Sequence, residues 1–303
     1  MLVASLALAA FAVLLAWPIP LLLARASWTA NAPVTALLLW QSIALAGGLS
    51  MIGALLTFGL HPFGERLVES ALGLGGAAIG GRLTDVPLLN ALALCGALLL
   101  TGHLLLNLVY TAIQIQRQRT RHRQLVQLLS TPHTELPHTR MLDTSIPLAY
   151  CLPGSQHPIT VFSQGLVAVL SPKELEAVIE HESAHLTQRH YLVLLAFVAW
   201  HRSLPWFPIA RQAREDVAML IEMVADDHAR HIVGDEVLAS AITRVRASDP
   251  AGGEPQDHLS ARVARLRHPE PVGRGLRVAA SVATVALIAV PTVLLLAPME
   301  WLS

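Results

Sequence analysis

Charge is scarce in this chain. Only 14% of its 303 residues are Asp, Glu, Lys or Arg, the 21 basic and 21 acidic groups cancel, and Lys173 is the one lysine. A balanced chain has no global field to steer it to nucleic acid, so none is expected as a partner, and any electrostatic message must lie in where the charges cluster. Aromatic residues make up 5%. The two cysteines, Cys95 in an apolar run and Cys151 in a polar region, build no disulfide framework, lack CxxC spacing and ask for no oxidising compartment. Cys151 reads as a small buried residue. No internal repeat is visible. What the sequence has in excess is hydrophobic residues, 53% of the total, too many for an ordinary soluble domain.

The apolar residues lie in long runs. Residues 1–24 hold no charge and are long enough to cross a hydrocarbon layer of about 30 Å at ~1.5 Å per residue. Ala24-Arg25-Ala26 resembles the end of a signal peptide, but a positive n-region is missing and the run is longer than a usual h-region. Further uncharged runs cover 33–60, 86–113 and 278–298. Pro291 is tolerable in a membrane helix as a kink. The expected organisation is three transmembrane helices within 1–113 (about 1–24, 33–60 and 86–113), a domain over 114–275, and a fourth helix with a short tail over 276–303. Between the second and third runs, the Gly-rich "ALGLGGAAIGG" reads as a loop or a re-entrant turn.

Arginine placement orients the chain. Arg117, Arg119, Arg121 and Arg123 follow the third run, and Arg262, Arg265, Arg267, Arg274 and Arg277 precede the fourth. By the positive-inside rule both flanks are cytoplasmic. The intervening domain is then cytoplasmic and the N-terminus extracytoplasmic, in a multi-pass cell-membrane protein with the lipid bilayer as partner.

Within the domain, "STPHTELPHTR" (130–140) reads as a turn-rich connector and "SDPAGGEPQD" (248–257) as a loop. "PITVFSQGLVAVLS" (158–171) predicts a strand leading into a turn at Gly165. "SPKELEAVIEHESAHLTQRHYL" opens with Ser171 and Glu174 in capping-box spacing and Pro172 at the first helical position, a helix start. A second helix fits "QAREDVAMLIEMVADDHARHIVG", closed by Gly234. "YLVLLAFVAW" (191–200), followed by "LPWFP", is too short to span and reads as buried core, with the membrane interface as the alternative that Trp200 and Trp206 would suit.

The chemistry-bearing motif is HESAH. On a helix, His181 and His185 lie about 40° apart on one face, so two imidazoles can grip one metal ion. Catalytic zinc takes three protein ligands and leaves a position for water, and Glu182 is placed as that water's general base. In "EMVADD", Glu222 supplies a third ligand and Asp226, one turn on, can orient a ligating histidine. Ala218, Ala225 and Ala229 would let this helix approach the first closely. The competing reading of Glu222 is a solvated acidic face.

"HESAH" with "EMVAD" resembles the gluzincin peptidases of membranes. The stretch "YCLPGSQHPITVFSQGLVAVLSPKELEAVIEHESAHLTQRH" is similar to the core of the BlaR/MecR-type antirepressor proteases. The likeness covers about 150–234. Three crossings before the domain and one after it match that plan better than the HtpX and CAAX prenyl protease group, which splits its crossings differently around the zinc site. BlaR/MecR sensors carry an extracellular penicillin-binding domain after the last crossing, whereas this sequence stops at Ser303, so antibiotic sensing is not expected. The resemblance also links "HLSARVARL" to an "HP…R" element, with His258 and Arg262 in matching places and the proline absent. Arg262 would then stabilise the tetrahedral oxyanion; the duller reading is a basic flank to a membrane helix. The fold so implied is mainly α, about four membrane helices plus a gluzincin-type α+β domain. The implied activity is zinc-dependent hydrolysis of a protein or peptide substrate, such as a repressor or a membrane protein, with one Zn2+ and a strand near 159–163 holding extended substrate by β-addition.

His103 and Asn107 share a face of the third run, where polar groups are functional or bind neighbouring helices. His190, His201, His228 and His231 could meet substrate, but exposed or capping roles suit them better. Three other readings compete: an HtpX-like quality-control protease, a non-catalytic transducer with structural zinc, and a metal transporter. Glu182 argues against the second, since a structural site needs no base. The transporter predicts intramembrane carboxylates, and the four runs contain none.

Overall fold

In a computed structural model that describes residues 1–81, 86–132, 139–152, 159–248 and 255–296, helices dominate and a single small sheet sits beside them. The first apolar run is two helices, α1 (Leu2–Ala16) and α2 (Pro18–Ala24), broken at Trp17, because Pro18 cannot donate a backbone hydrogen bond and starts a new helix instead. After a 3-10 turn at Ser27–Asn31, α3 (Pro33–Leu60) covers the second run. The Gly-rich tract forms a helix, α4 (Leu67–Ile79), too short to span. The loop or re-entrant turn expected there is thus replaced by 13 residues whose backbone groups bond internally.

Helix α5 (Leu88–Leu129) runs unbroken from the third apolar run through the arginines, so the expected boundary at 113–114 falls inside one helix. Among the described residues, four stretches are long and apolar enough to cross a membrane: Leu2–Ala24, Pro33–Phe63, Leu88–Leu129 and Arg274–Leu296. Their packing is polar at defined points. Ser5 Oγ donates to the carbonyl of Ala54 at 3.0 Å, and Asn90 Nδ2 to that of Phe58 at 2.7 Å. The ammonium of Met1 meets Glu65 Oε2 at 3.0 Å, placing the N-terminus at the Leu60 end of α3.

Strands β1 (Ser130–Pro132), β2 (Thr139–Leu142), β3 (Ala149–Leu152) and β4 (Ile159–Ser163) form a sheet in the order β1-β2-β4-β3. β4 pairs parallel with β2 and antiparallel with β3. The ends of the expected 130–140 connector are therefore strands; 133–138 lie outside the described residues, as do 153–158 and 249–254. Where a turn at Gly165 was expected, the chain forms a short helix, α6 (Gln164–Val169). A Cβ at Gly165 would stand 2.1 Å from the carbonyl oxygen of Ser145, so only glycine permits this approach.

Helix α7 (Pro172–Thr187) has the full capping box, with Glu174 N–H donating to Ser171 Oγ and the Glu174 carboxylate accepting from Ser171 N–H at 2.8 Å. The other Glu174 oxygen accepts from Ser240 Oγ at 2.6 Å, on α10 (Asp235–Ser248). Between α7 and α10 come α8 (His190–Ser203) and α9 (Pro208–Val233), and the described residues close with α11 (Gln256–Arg267) and α12 (Arg274–Leu296), which holds Pro291 within it. The largest core joins what the sequence separated: Ala36, Leu37, Trp40 and Ile43 of α3 pack with Phe197 of α8 and Ala213, Val217, Leu220 and Ile221 of α9. The helix that carries Glu222 thus leans on a membrane-type helix through its opposite, apolar face.

Candidate metal centre

Helix α7 brings His181 and His185 to one face, and α9 crosses it so that Glu222 faces them. Their ligand atoms all lie within 4.8 Å of one another. Nε2 of His181 is 3.2 Å from Glu222 Oε2 and 3.2 Å from Nε2 of His185, which in turn is 3.6 Å from Glu222 Oε1. Two nitrogens and a carboxylate converging in this way form a donor set suited to zinc. Two imidazole nitrogens facing each other at 3.2 Å can share one proton between them or share one cation.

The surroundings fix the rings. Asp226, fully buried, sets Oδ1 3.0 Å from His181 Nδ1. Arg262, also buried, grips Asp226 at both oxygens, Nε to Oδ2 at 2.8 Å and Nη2 to Oδ1 at 2.7 Å, while Nη1 lies 3.4 Å from Glu222 Oε2. The next turn of α11 repeats the link, with Arg265 Nη2 2.5 Å from Asp227 Oδ1. Arg262 is therefore an interior residue among ligand-bearing carboxylates; the expectation of a basic membrane flank does not describe it.

His185 is held by His190, for which the sequence suggested an exposed or capping role but which is buried. Arg189 adopts a left-handed conformation (φ 51°), breaking α7 from α8 and folding His190 back, so that its Nδ1 is 3.0 Å from His185 Nδ1. Nε2 of His190 lies 2.8 Å from Gln188 Oε1. Because Oε1 only accepts, His190 carries its proton on Nε2 and accepts at Nδ1 from the Nδ1–H of His185, leaving the His185 Nε2 lone pair for a metal. A left-handed arginine has no sequence signal; the clue available was His190 itself, five residues past His185. His228 pairs with Glu180 at 3.6 Å, outside the metal group.

Protonation follows from these contacts. For His181, burial opposes the charged form, yet the carboxylates of Asp226 and Glu222 outweigh it and push the metal-free pKa up to about 9. Burial pushes His185 down to about 4, only partly offset by Glu222. Glu222 resists burial through His181 and Arg262 and falls to about 2, and Asp226 is held below its ordinary range in spite of burial by Arg262 and His181. Glu182 is raised, first by burial and also by the charge of Glu222, although Cys151 donates a backbone hydrogen bond to it. Cys151 itself is pushed up to about 11 by burial and stays a thiol, its Sγ 3.4 Å from Thr160 Oγ1.

Cys151 lies on β3, at one edge of the sheet. β4 is bonded on both sides, by β2 and β3, so the expected β-addition to 159–163 has no free edge to use. Among the described residues β1 and β3 are the sheet's edges, and the Cys151 backbone of β3 faces Glu182.

One comparison with known proteins bears on this arrangement. Residues 114–244 match the model of peptidase family M48. The match spans under half of the chain and includes His181, Glu182, His185, Glu222 and Asp226, stopping before Arg262. It supports a metallopeptidase, and M48 peptidases are zinc-dependent. No curated protein and no solved structure matches the chain.

Proposed function

We propose that this chain is an integral membrane zinc endopeptidase of the BlaR/MecR-type plan, with its active site on the cytoplasmic side, cutting a protein substrate such as a repressor or a membrane protein. The observation that carries the reading is the convergence of His181, His185 and Glu222 beside Glu182, a base that a structural metal site would not need. Three membrane-type stretches before α7 and one after α11 support the BlaR/MecR plan over the HtpX plan, since the segment between the ligand helices is the 14-residue α8.

His181, His185 and Glu222 would hold the ion. When bound, zinc supplies the Lewis acidity that lowers the pKa of water toward ~7 and polarises the scissile carbonyl. Glu182 accepts the proton of the attacking water and returns it to the leaving amine; its raised pKa brings it nearer the operating pH, where a base can also act as the acid. β3 holds the substrate extended beside Glu182 through main-chain hydrogen bonds. Arg262, with Nε and Nη2 on Asp226 and Nη1 toward Glu222, is read as the residue that keeps both carboxylates charged and placed; an oxyanion contact would have to come from Nη1.

Glu182→Gln in membranes tests the whole. Zinc content should stay at one ion per chain while proteome cleavage falls by about 10²–10⁴. Unchanged cleavage would return the protein to the transducer reading.

A further inference from the structure

Between the two ligand helices the chain makes a hairpin, α8 and the first turns of α9 joined at Leu204–Phe207, that contributes no metal ligand. Its position can be measured against α5. Residues 86–116 are uncharged, bounded by Asp85 and Arg117. A hydrocarbon layer takes about 20 helical residues, so wherever that layer falls within 86–116, position 103 is inside it. His103 Nε2 lies 3.4 Å from the carbonyl oxygen of Ser203, the last residue of α8. Asn107 Nδ2 donates to Ser203 Oγ at 2.5 Å and to the carbonyl of Ala199 at 3.3 Å. At the other end of α8, the Arg119 guanidinium lies 4.4 Å from the centre of the Tyr191 ring. From Tyr191 to Ser203, α8 thus descends about 18 Å from the arginine belt, more than half of a ~30 Å layer.

We propose that the α8–α9 hairpin is a partial membrane insertion that enters from the catalytic side, turns inside the hydrocarbon layer at Leu204–Phe207 and returns without crossing, the outer face of α8 solvated by lipid hydrocarbon. Its side chains fit that occupant. Residues 191–200 carry no charge, Leu192 is 47% exposed, and Trp206 at the tip is 76% exposed. The backbone carbonyls at the end of α8, which lipid could not satisfy, are met by His103 and Asn107. Arg202, the one arginine of α8, points back toward the belt, donating from Nη1 to Gln114 Oε1 at 3.3 Å, as a snorkelling cation does. The other limb differs. On α9, Gln212 donates to Asp216 at 2.7 Å, Arg214 lies 3.7 Å from Glu215 and Arg211 is exposed, so this limb is polar and the face assigned to lipid is that of α8. The placement depends on the bilayer frame and not on zinc or cleavage.

Cysteine accessibility in the full chain tests it. Trp206→Cys, Leu105→Cys on α5 and Ser260→Cys on the exposed side of α11 are each made with Cys95→Ser and Cys151→Ser, and membrane vesicles permeabilised to the reagent are treated with a charged methanethiosulfonate. The reagent attacks thiolates in water, so the cysteine at 206 should react on the order of a hundredfold more slowly than that at 260, as the one at 105 should. Reaction at 206 as fast as at 260 overturns the proposal; the rate at 105 then tells whether the hairpin alone or the whole bilayer frame was misplaced. A second measurement needs no cysteine changes. In bilayers brominated at mid-chain, Trp206→Phe should lower the quenched fraction of the tryptophan emission, and a rise in that fraction would sink the idea.

Discussion

Asp226 Oδ1 lies 3.0 Å from His181 Nδ1, on the side of the ring away from the metal group. A carboxylate there fixes the proton on Nδ1 and enriches Nε2, the atom a metal would use. Asp226→Asn keeps the shape and loses the charge, so zinc affinity should fall about 10–100-fold, measured by competition with a chelating dye. It also strips the buried Arg262 guanidinium of its bidentate partner. Loss of one member of such a pair costs about 3–5 kcal/mol, so the melting temperature of the metal-free protein should fall as well. Unchanged affinity would mean that His181 is oriented by its packing alone.

His190 acts one step back from His185, and its contribution can be separated from its bulk. His190→Asn retains an acceptor near the Nδ1 position, whereas His190→Phe fills the space and accepts nothing. Zinc affinity should drop about 10–100-fold in the phenylalanine variant and largely recover in the asparagine variant. Equal losses in both would assign His190 a packing role only.

Much of this was legible in the sequence because it depends on spacing within one helix. HESAH puts two imidazoles on one face by the helical period alone, and Ser171 with Glu174 marks where that helix begins. The pairing of Arg262 with Asp226, 36 residues apart, was not legible, since each charge has a bland local explanation until α11 is packed on α9. Nor was the fold-back at Arg189, where a left-handed conformation carries no residue signature. The sheet edge also escaped. The β-branched "ITV" of β4 is the stronger strand signal because β4 is interior, and the weaker "AYCL" is the edge beside Glu182.

The metal-free protein should lose stability as pH rises above 6.5. His181 takes up its proton in the folded chain at about 9, above its ordinary 6.5, so its contribution is full below 6.5 and is lost as pH rises through 9. His185, at about 4 when folded, runs the other way below 6.5, but Asp216, raised to about 6 by burial, opposes it over the same range, so the alkaline limb is the one to expect. Below about 4.5 the carboxylates Glu222 and Asp226, both depressed, add to the acid loss. Zinc, which needs neutral imidazoles, should flatten the alkaline limb. Melting curves in detergent with chelator or with zinc, from pH 4 to 9.5, check the shape; a metal-free protein that gains stability from pH 7 to 9 contradicts it.

Gly165 bears on the β3 edge of the sheet and not on the metal group. Its N–H donates to the carbonyl of Thr144 at 2.9 Å, and a side chain there would drive into the backbone of Ser145. The 143–148 segment leads directly into β3, and Ser163 pins it by donating to the carbonyl of Ile146 and accepting from Leu148 N–H. Gly165→Ala must push that segment outward, because the blocking atoms are backbone and cannot rotate away. The expected cost is about 1–3 kcal/mol of stability. The displacement passes to Cys151 and the hydrogen bond to Glu182, whereas His181, His185 and Glu222 lie on α7 and α9 and need not move. Cleavage of an extended peptide should therefore lose mainly in KM, with zinc content unchanged; loss of zinc with unchanged KM would show that β3 does not bind the substrate.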